Sequence, residues 1–407
     1  MGLYIHIPFC VSKCGYCDFL SFEGKGTDLQ EQYVNALLNE IKATSYAPCR
    51  GGNLPPVSFA QDTPIDTIYI GGGTPTALPS HLLCKILSEA QAFNLAKDPE
   101  ITVEMNPCTT PHSILPELKA HGVNRLSIGL QAFQDNLLKT ISRAHTAEDF
   151  INTFHSARAA GINNINVDLM FGLPGQTQAH WQESLSQLIA LSPEHVSAYS
   201  LTPAEDTPLW DALEKGSTHL PSESADREMY HEAISTLSAA GYQHYELSNF
   251  AKPGHESRHN VSCWLRKPYL GLGLGAHSFD TAARWHNTMD MKKYLCMPDN
   301  ISEIREDYQP ILVKDAMAET MFLGLRLTDG VNPQDFFNQY GKQLTDCYGP
   351  ELEMLISKGL LAYKPNIATP PIVGAVTCRP QPGTQCSNIA LTPLGLDLAN
   401  QVFEAFL

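Results

Sequence analysis

Three cysteines, Cys10, Cys14 and Cys17, fall in the stretch PFCVSKCGYCDF, residues 8–19. A structural zinc site takes four ligands, so three thiolates would need a distant His or Cys to complete it. Three thiolates also suffice for three irons of a cubane 4Fe–4S cluster, in which electron carriers of the ferredoxin type cap all four irons with cysteine. A cubane held by three leaves one iron open to a small molecule, as a catalytic zinc keeps a position for substrate. A cluster with an open iron, an incomplete zinc site and a chance grouping are the readings these residues allow.

The elements around the cysteines favour a site. Residues 3–7 (LYIHI) read as a strand that delivers the cysteine loop, and residues 28–44 as a helix with Tyr33, Ala36, Leu37 and Ile41 on one face. Strands are expected at 67–70, 101–105, 126–128, 165–170, 195–200 and 243–247. Helices are expected near 79–94, 111–120, 134–142, 147–160, 177–190 and 223–239. Strand–helix alternation of this kind makes a parallel sheet, as a whole or partial (β/α) barrel or a doubly wound sheet. In a barrel the chemistry gathers where strands end. The cysteine loop, GGGTP (71–75), EMNP (104–107), GLQAF (129–133), DLMFGLPG (168–175) and SLTPAE (200–205) all fall at such ends. Glycines at 71–73 allow close backbone approach and leave N–H groups for a ligand. Glu104 is an acid at a strand end, placed to accept hydrogen bonds.

Bulk properties narrow the class. The chain has 407 residues, 43% of them apolar, a net charge of −16 and eleven cysteines. That length suits two or three domains. The acidic balance argues against nucleic-acid and polybasic membrane binding, and no apolar run approaches the roughly 20 residues of a membrane span. MGLYIHIPFC has no basic n-region or cleavage site, so no export signal is expected. An odd number of cysteines then reads as reduced thiols in a cytoplasm rather than a disulfide framework. Residues 45–64 read as an irregular insertion, 251–300 as a segment where the pattern loosens, 301–407 as mainly helical, and 364–389 as a loop or small β-wing.

The spacing C-x3-C-x2-C, with Tyr16 before the last cysteine, resembles the radical S-adenosylmethionine (SAM) superfamily. In that family the amino and carboxylate groups of SAM chelate the open iron, and one electron from the cluster cleaves a sulfonium C–S bond to give a 5′-deoxyadenosyl radical. The resemblance implies an α/β radical-SAM (β/α) partial barrel over 1–250, a connecting segment over 251–300, and a mainly helical C-terminal domain with a small β-wing over 301–407. It implies SAM contacts at Tyr4, Tyr16, Gly72, Gly73, Thr74, Glu104, Gln131, Arg143 and Asp168.

Within the superfamily, LYIHIPFC, CDF, GGGTP, FGLPGQT, YELSNFAKPG, GLGLGAHSF, FLGLRLTDGV and ALTPLGLDLANQVFEAFL resemble the oxygen-independent coproporphyrinogen III oxidases and their relatives, the HemW-type heme chaperones. The oxidases carry a further cysteine two positions after the third, where this chain has Phe19, and an N-terminal arm before the first strand. The chaperones carry HNxxYW. This chain has His259-Asn-Val-Ser-Cys-Trp264, with Cys263 where tyrosine is usual. The resemblance therefore implies a chaperone that takes heme and passes it to an acceptor, for instance a membrane-bound respiratory enzyme. The alternative is oxidative decarboxylation of coproporphyrinogen III to protoporphyrinogen IX. His259 would ligate heme iron and Trp264 would cover a porphyrin face. Cys263 is either a silent replacement or a soft ligand, and His255 and His277 are nearby alternatives. GLGLGAH lacks the last glycine of GxGxxG and no βαβ unit follows it, so dinucleotide binding is rejected there.

Overall fold

The computed structural model describes residues 1–24, 26–46, 63–107, 113–296, 301–364 and 387–407. The insertion expected at 45–64 and the wing expected at 364–389 lie almost wholly outside them. Sixteen strands are described: β1 (Gly2–Ile7), β2 (Phe9–Cys10), β3 (Phe22–Glu23), β4 (Ile65–Gly72), β5 (Leu95–Met105), β6 (Arg125–Gln131), β7 (Asn164–Phe171) and β8 (His195–Ser200), then β9 (Gln243–Glu246), β10 (Asn249–Ala251), β11 (Tyr269–Leu272), β12 (His277–Phe279), β13 (Ala283–Asn287), β14 (Arg305–Pro310), β15 (Leu361–Lys364) and β16 (Asn388–Leu391).

Twelve of them form one sheet in the order β14-β13-β12-β11-β1-β4-β5-β6-β7-β8-β10-β9. From β11 through β1 and β4 to β8 every neighbouring pair is parallel. Antiparallel strands extend it at both ends. The sheet is open, with β14 and β9 at its edges, so the barrel is partial. Crossover helices include Thr27–Tyr46, Ser80–Ala90, Ala147–Ala159, Gln178–Leu191 and Glu223–Ala239. Thr146 starts the third with a reciprocal capping box to Asp149, which satisfies backbone donors that the first turn leaves free.

Strand register decides where the polar residues go. In β1, Leu3, Ile5 and Ile7 have no exposed surface and join the main apolar core. Burial of such side chains contributes roughly 1.5–3 kcal/mol each. Tyr4 and His6, at the alternate positions, face the other way. The same alternation in β4 packs Ile68 and Ile70 into the core and turns Thr67 and Tyr69 inward. A slip of one residue in β1 would exchange three core side chains for two polar ones, so the core itself fixes the register of the inner face.

Residues 251–300 hold more structure than their loosened pattern suggests. They contain the helix Arg258–Trp264 and strands β11 to β13, which continue the main sheet. These elements run three to seven residues, too short to show a period. Residues from Met317 to Phe406 build a second apolar cluster. Its elements include the helices Val313–Gly324, Pro333–Tyr340 and Leu344–Ser357 and the antiparallel pair β15–β16. Glu319 on the first of these helices bonds Arg266 Nε at 2.6 Å and also pairs with Arg284, which clamps this part to the sheet. Among the described residues no helix is long and apolar enough to cross a membrane.

Candidate functional site

The cysteine loop leaves β1 and is pinned at several points. Gly24 N donates to Cys10 O, Gly15 N to Ile141 O, and Leu209 N to Gly15 O. The glycine loop after β4 is tied to it directly: Gly73 N donates to Ile7 O at 2.9 Å and Thr74 N to Phe9 O at 2.7 Å. A Cβ on Gly73 would lie 2.7 Å from Phe9 O, so any larger residue would have to push the two loops apart. Gly72, at φ +112°, has the left-handed backbone that glycine accepts. Cys10, Cys14 and Cys17 are partly exposed free thiols. Burial, helped by the neighbouring Cys14 and Cys10, raises the Cys17 thiol above its usual range. Arg143 Nη1 approaches Cys14 Sγ at 3.4 Å, and the Thr74 hydroxyl approaches Cys10 Sγ at 3.7 Å. Among the described residues no three His, Cys, Asp or Glu side chains converge on a single metal ion. A cubane asks no such convergence, because its thiolates bind different irons.

The residues expected to contact SAM gather beside this loop. Arg143 Nη2 donates to Gly129 O at 2.9 Å, and its Nε is buried without a partner among the described residues. Glu104 closes β5; its Oε1 accepts from Tyr69 Oη at 2.7 Å and its Oε2 from Gly72 N at 3.1 Å. Burial pushes its carboxyl up to about 7, against the opposing hydrogen bond from Tyr69. Asn106 Nδ2 donates to Thr74 Oγ1 at 2.8 Å. Gln131, buried at the end of β6 beyond a register shift, holds φ at +73°. Such a backbone is sparsely populated outside glycine and collects at functional sites. Tyr16 packs with a small apolar cluster beneath the loop. Asp168 sits three residues before the end of β7 rather than at it, and accepts from Asn166 and Ser127. Tyr4 Oη bonds His6 Nδ1 at 3.0 Å, while His6 Nε2 reaches Leu20 O.

The N–H groups of Gly72, Gly73 and Thr74, expected to be left for a ligand, are instead spent on Glu104, Ile7 O and Phe9 O. A free, buried guanidinium nitrogen, an acid near a strand end and three thiols form the donor set that fits a cluster with an amino-acid-bearing nucleotide. His6, Tyr69 and Asn106 belong to this neighbourhood and were not expected. The inward phase of β1 and β4, Tyr4/His6 and Thr67/Tyr69, is the signal that marks the first two.

The HNxxxW residues lie elsewhere. His259 is on the helix Arg258–Trp264 and is 7% exposed. Its Nδ1 is 2.9 Å from Thr67 Oγ1, and its ring stacks on Tyr69 at 5.1 Å between centroids. The backbone N–H groups of Arg258 and His259 donate to the two oxygens of Glu100. Burial, with Arg125 nearby, lowers the imidazole to about 4, so it is neutral. Trp264 ends the helix under the Arg326 guanidinium at 4.2 Å, with its Nε1 buried and unpartnered among the described residues. Burial raises the Cys263 thiol to about 11. His277 is exposed on β12 beside His286, at 5.0 Å between ring centroids.

Comparison with known proteins places this architecture. A family model described as the radical SAM superfamily matches residues 57–188, and one described as the HemN C-terminal domain matches residues 311–367. Heme chaperone HemW of Bacillus subtilis is 36% identical over 99% of this chain and 98% of its own. Heme chaperone HemW of Lactococcus lactis is 33% identical over 99% and 96%. The Escherichia coli radical SAM enzyme coproporphyrinogen III oxidase (HemN) superposes with a TM-score of 0.78, covering 100% of this chain and 89% of that one. At 22% identity it shows the shared fold, a radical-SAM partial barrel with a helical C-terminal part. With near-complete coverage at such identity, the chain belongs to the HemW family of radical SAM proteins.

Proposed function

We propose that this protein binds heme and hands it to an acceptor protein, and that it carries a 4Fe–4S cluster with exchangeable SAM. The observation that carries the reading is identity over nearly the whole chain to proteins named heme chaperones. Membership of the superfamily implies the cluster and SAM. Phe19, 63% exposed, stands where the oxidase pattern has a cysteine, which weighs against the decarboxylase alternative.

In this reading Cys10, Cys14 and Cys17 would hold the cluster, which would supply one-electron chemistry toward bound SAM. The chain's own residues do the rest. Arg143 keeps a positive charge beside Cys14 and offers its spare Nε to an anionic group. The 71–74 loop lets the nucleotide approach the backbone closely, Glu104, Gln131 and Asp168 orient it, Tyr4 and Tyr16 pack around it, and Glu104 accepts from its hydroxyls. His259, its Nδ1 held by Thr67, has Nε2 left for iron. Trp264 offers an aromatic face, and Cys263 stands beside it as a protonated thiol. Seven described cysteines are free, in keeping with a reducing cytoplasm. We place the acceptor among separate proteins such as a membrane-bound respiratory enzyme.

The test is to incubate anaerobically reconstituted protein with heme and, separately, with coproporphyrinogen III, SAM and a reductant. A Soret band without protoporphyrinogen formation supports the proposal. Product without stable heme binding overturns it. Heme titration of His259→Ala and Cys263→Ala then decides which of the two side chains the iron uses.

A further inference from the structure

One side chain joins the nucleotide end of the barrel to the helix that carries the HNxxxW residues. Tyr69 gives its hydroxyl to Glu104 Oε1 at 2.7 Å, and its ring lies against His259 at 30° between planes. Thr67, two residues earlier on the same inner face of β4, holds His259 Nδ1. Glu100 on β5 takes the first backbone donors of the same helix. The helix Arg258–Trp264 is thus seated on β4 and β5, the strands whose far ends carry Gly72 and Glu104. Seated this way, His259 is only 7% exposed, so its Nε2 meets a porphyrin iron only when the helix or the side chains on β4 give way.

Glu104 has two oxygens, and both are taken, one by Tyr69 and one by Gly72 N. Ribose hydroxyls that bond to this carboxylate compete with the Tyr69 hydroxyl. We propose that Tyr69 is a positioning residue that couples the two sites: a nucleotide at Glu104 draws the carboxylate away from Tyr69, the stack on His259 loosens, and the imidazole becomes available to heme iron. SAM and heme then strengthen each other's binding, and by linkage the factor is the same in both directions. The inference rests on the proposed heme and SAM sites, and on a two-state element whose equilibrium both ligands bias.

The experiment is a Soret titration of the full-length, cluster-reconstituted protein with heme, at zero and at saturating SAM, and the reciprocal SAM titration with and without heme. The expected result is a heme affinity raised by SAM within the ordinary range of such couplings, about 5- to 150-fold, with the same factor for SAM. In Tyr69→Phe the ring remains but the bond to Glu104 is gone. Both ligands should bind, with the factor reduced to about one. Thr67→Val loosens His259 from the other side and should tighten heme in the absence of SAM, which keeps the test open if Tyr69→Phe fails to fold. A general structural role for Tyr69 would weaken both affinities and leave their ratio intact. Absence of a Soret band at any SAM concentration overturns the heme reading itself. A Soret titration identical with and without SAM, or an unchanged factor in Tyr69→Phe, overturns the coupling alone.

Discussion

Replacing Gly73 by alanine tests how the cysteine loop is held. The added Cβ would lie 2.7 Å from Phe9 O and 3.0 Å from both Ile7 O and Phe9 N. All three are backbone atoms of the segment that leads into Cys10, so no side chain can swing aside. The two loops must separate by several tenths of an ångström. Overpacking of this kind costs about 1–3 kcal/mol. The separation also strains the bonds from Gly73 N to Ile7 O and from Thr74 N to Phe9 O, each worth about 0.5–1.5 kcal/mol. Together the loss is about 2–6 kcal/mol, against a domain stability of about 5–15 kcal/mol. Gly73→Ala should therefore fold, melt at least about 4 °C lower, and take up less iron and sulfide per chain on reconstitution. Gly26→Ala, where a Cβ meets nothing within 4 Å, is the control. Melting curves and iron analysis of the three proteins decide the matter. A Gly73→Ala protein with wild-type melting and a full cluster would refute the claim that the two loops are locked backbone to backbone.

Glu104→Gln should change the pH dependence of stability. Burial holds the Glu104 carboxyl up to about 7 in the fold, against 4.5 for a free one. Its contribution is therefore fully present below about pH 4.5 and is lost as pH rises through 7. The amide has no such loss, so urea melts of cluster-free protein should show Glu104→Gln gaining on wild type between pH 5 and pH 8; a constant difference would count against a neutral buried acid. SAM binding by the wild type should strengthen over the same rise, because the ionised carboxylate is the better acceptor, and Glu104→Gln should lack that rise. Glu319→Gln removes the anion shared by Arg266 and Arg284 and leaves two guanidinium groups short of a partner. Breaking a buried pair from one side costs about 3–5 kcal/mol. Limited proteolysis should then cut between the sheet and residues 313–407 much faster than in wild type, and equal rates would show that the clamp does not hold them.

The repeating βα part of the fold was legible because its signals are long. The helix Glu223–Ala239 and the strand β8 fall on the expected bounds, since each combines a turn signal with a full run of apolar positions. β5 starts six residues earlier than expected, at Leu95, because Lys97, Asp98 and Pro99 hide an extended segment in polar clothing. The Cys10, Cys14 and Cys17 loop and its neighbours at 71–74, 104 and 131 are readable as strand-end residues, whereas Arg143, which follows the helix Asp135–Thr140, is legible only through the family resemblance. Asp168, which the sequence pattern puts at a strand end, lies inside β7 with its carboxylate bound by Asn166. What the sequence hid was distance. Nothing local in Arg258–Trp264 shows that His259 packs against Thr67 and Tyr69, nearly two hundred residues away. A histidine on a seven-residue helix reads as a surface group until the sheet beneath it is known.

The open iron is the centre of the account, and electron paramagnetic resonance of the reduced, anaerobically reconstituted protein addresses it without an assay of heme. If Cys10, Cys14 and Cys17 hold a cubane and leave one iron to the nucleotide, SAM labelled with a magnetic nucleus at its amino or carboxylate group should alter the cluster spectrum and show direct coupling to it. A cluster or metal ion whose signal ignores SAM, because side chains already fill every coordination position, would contradict it.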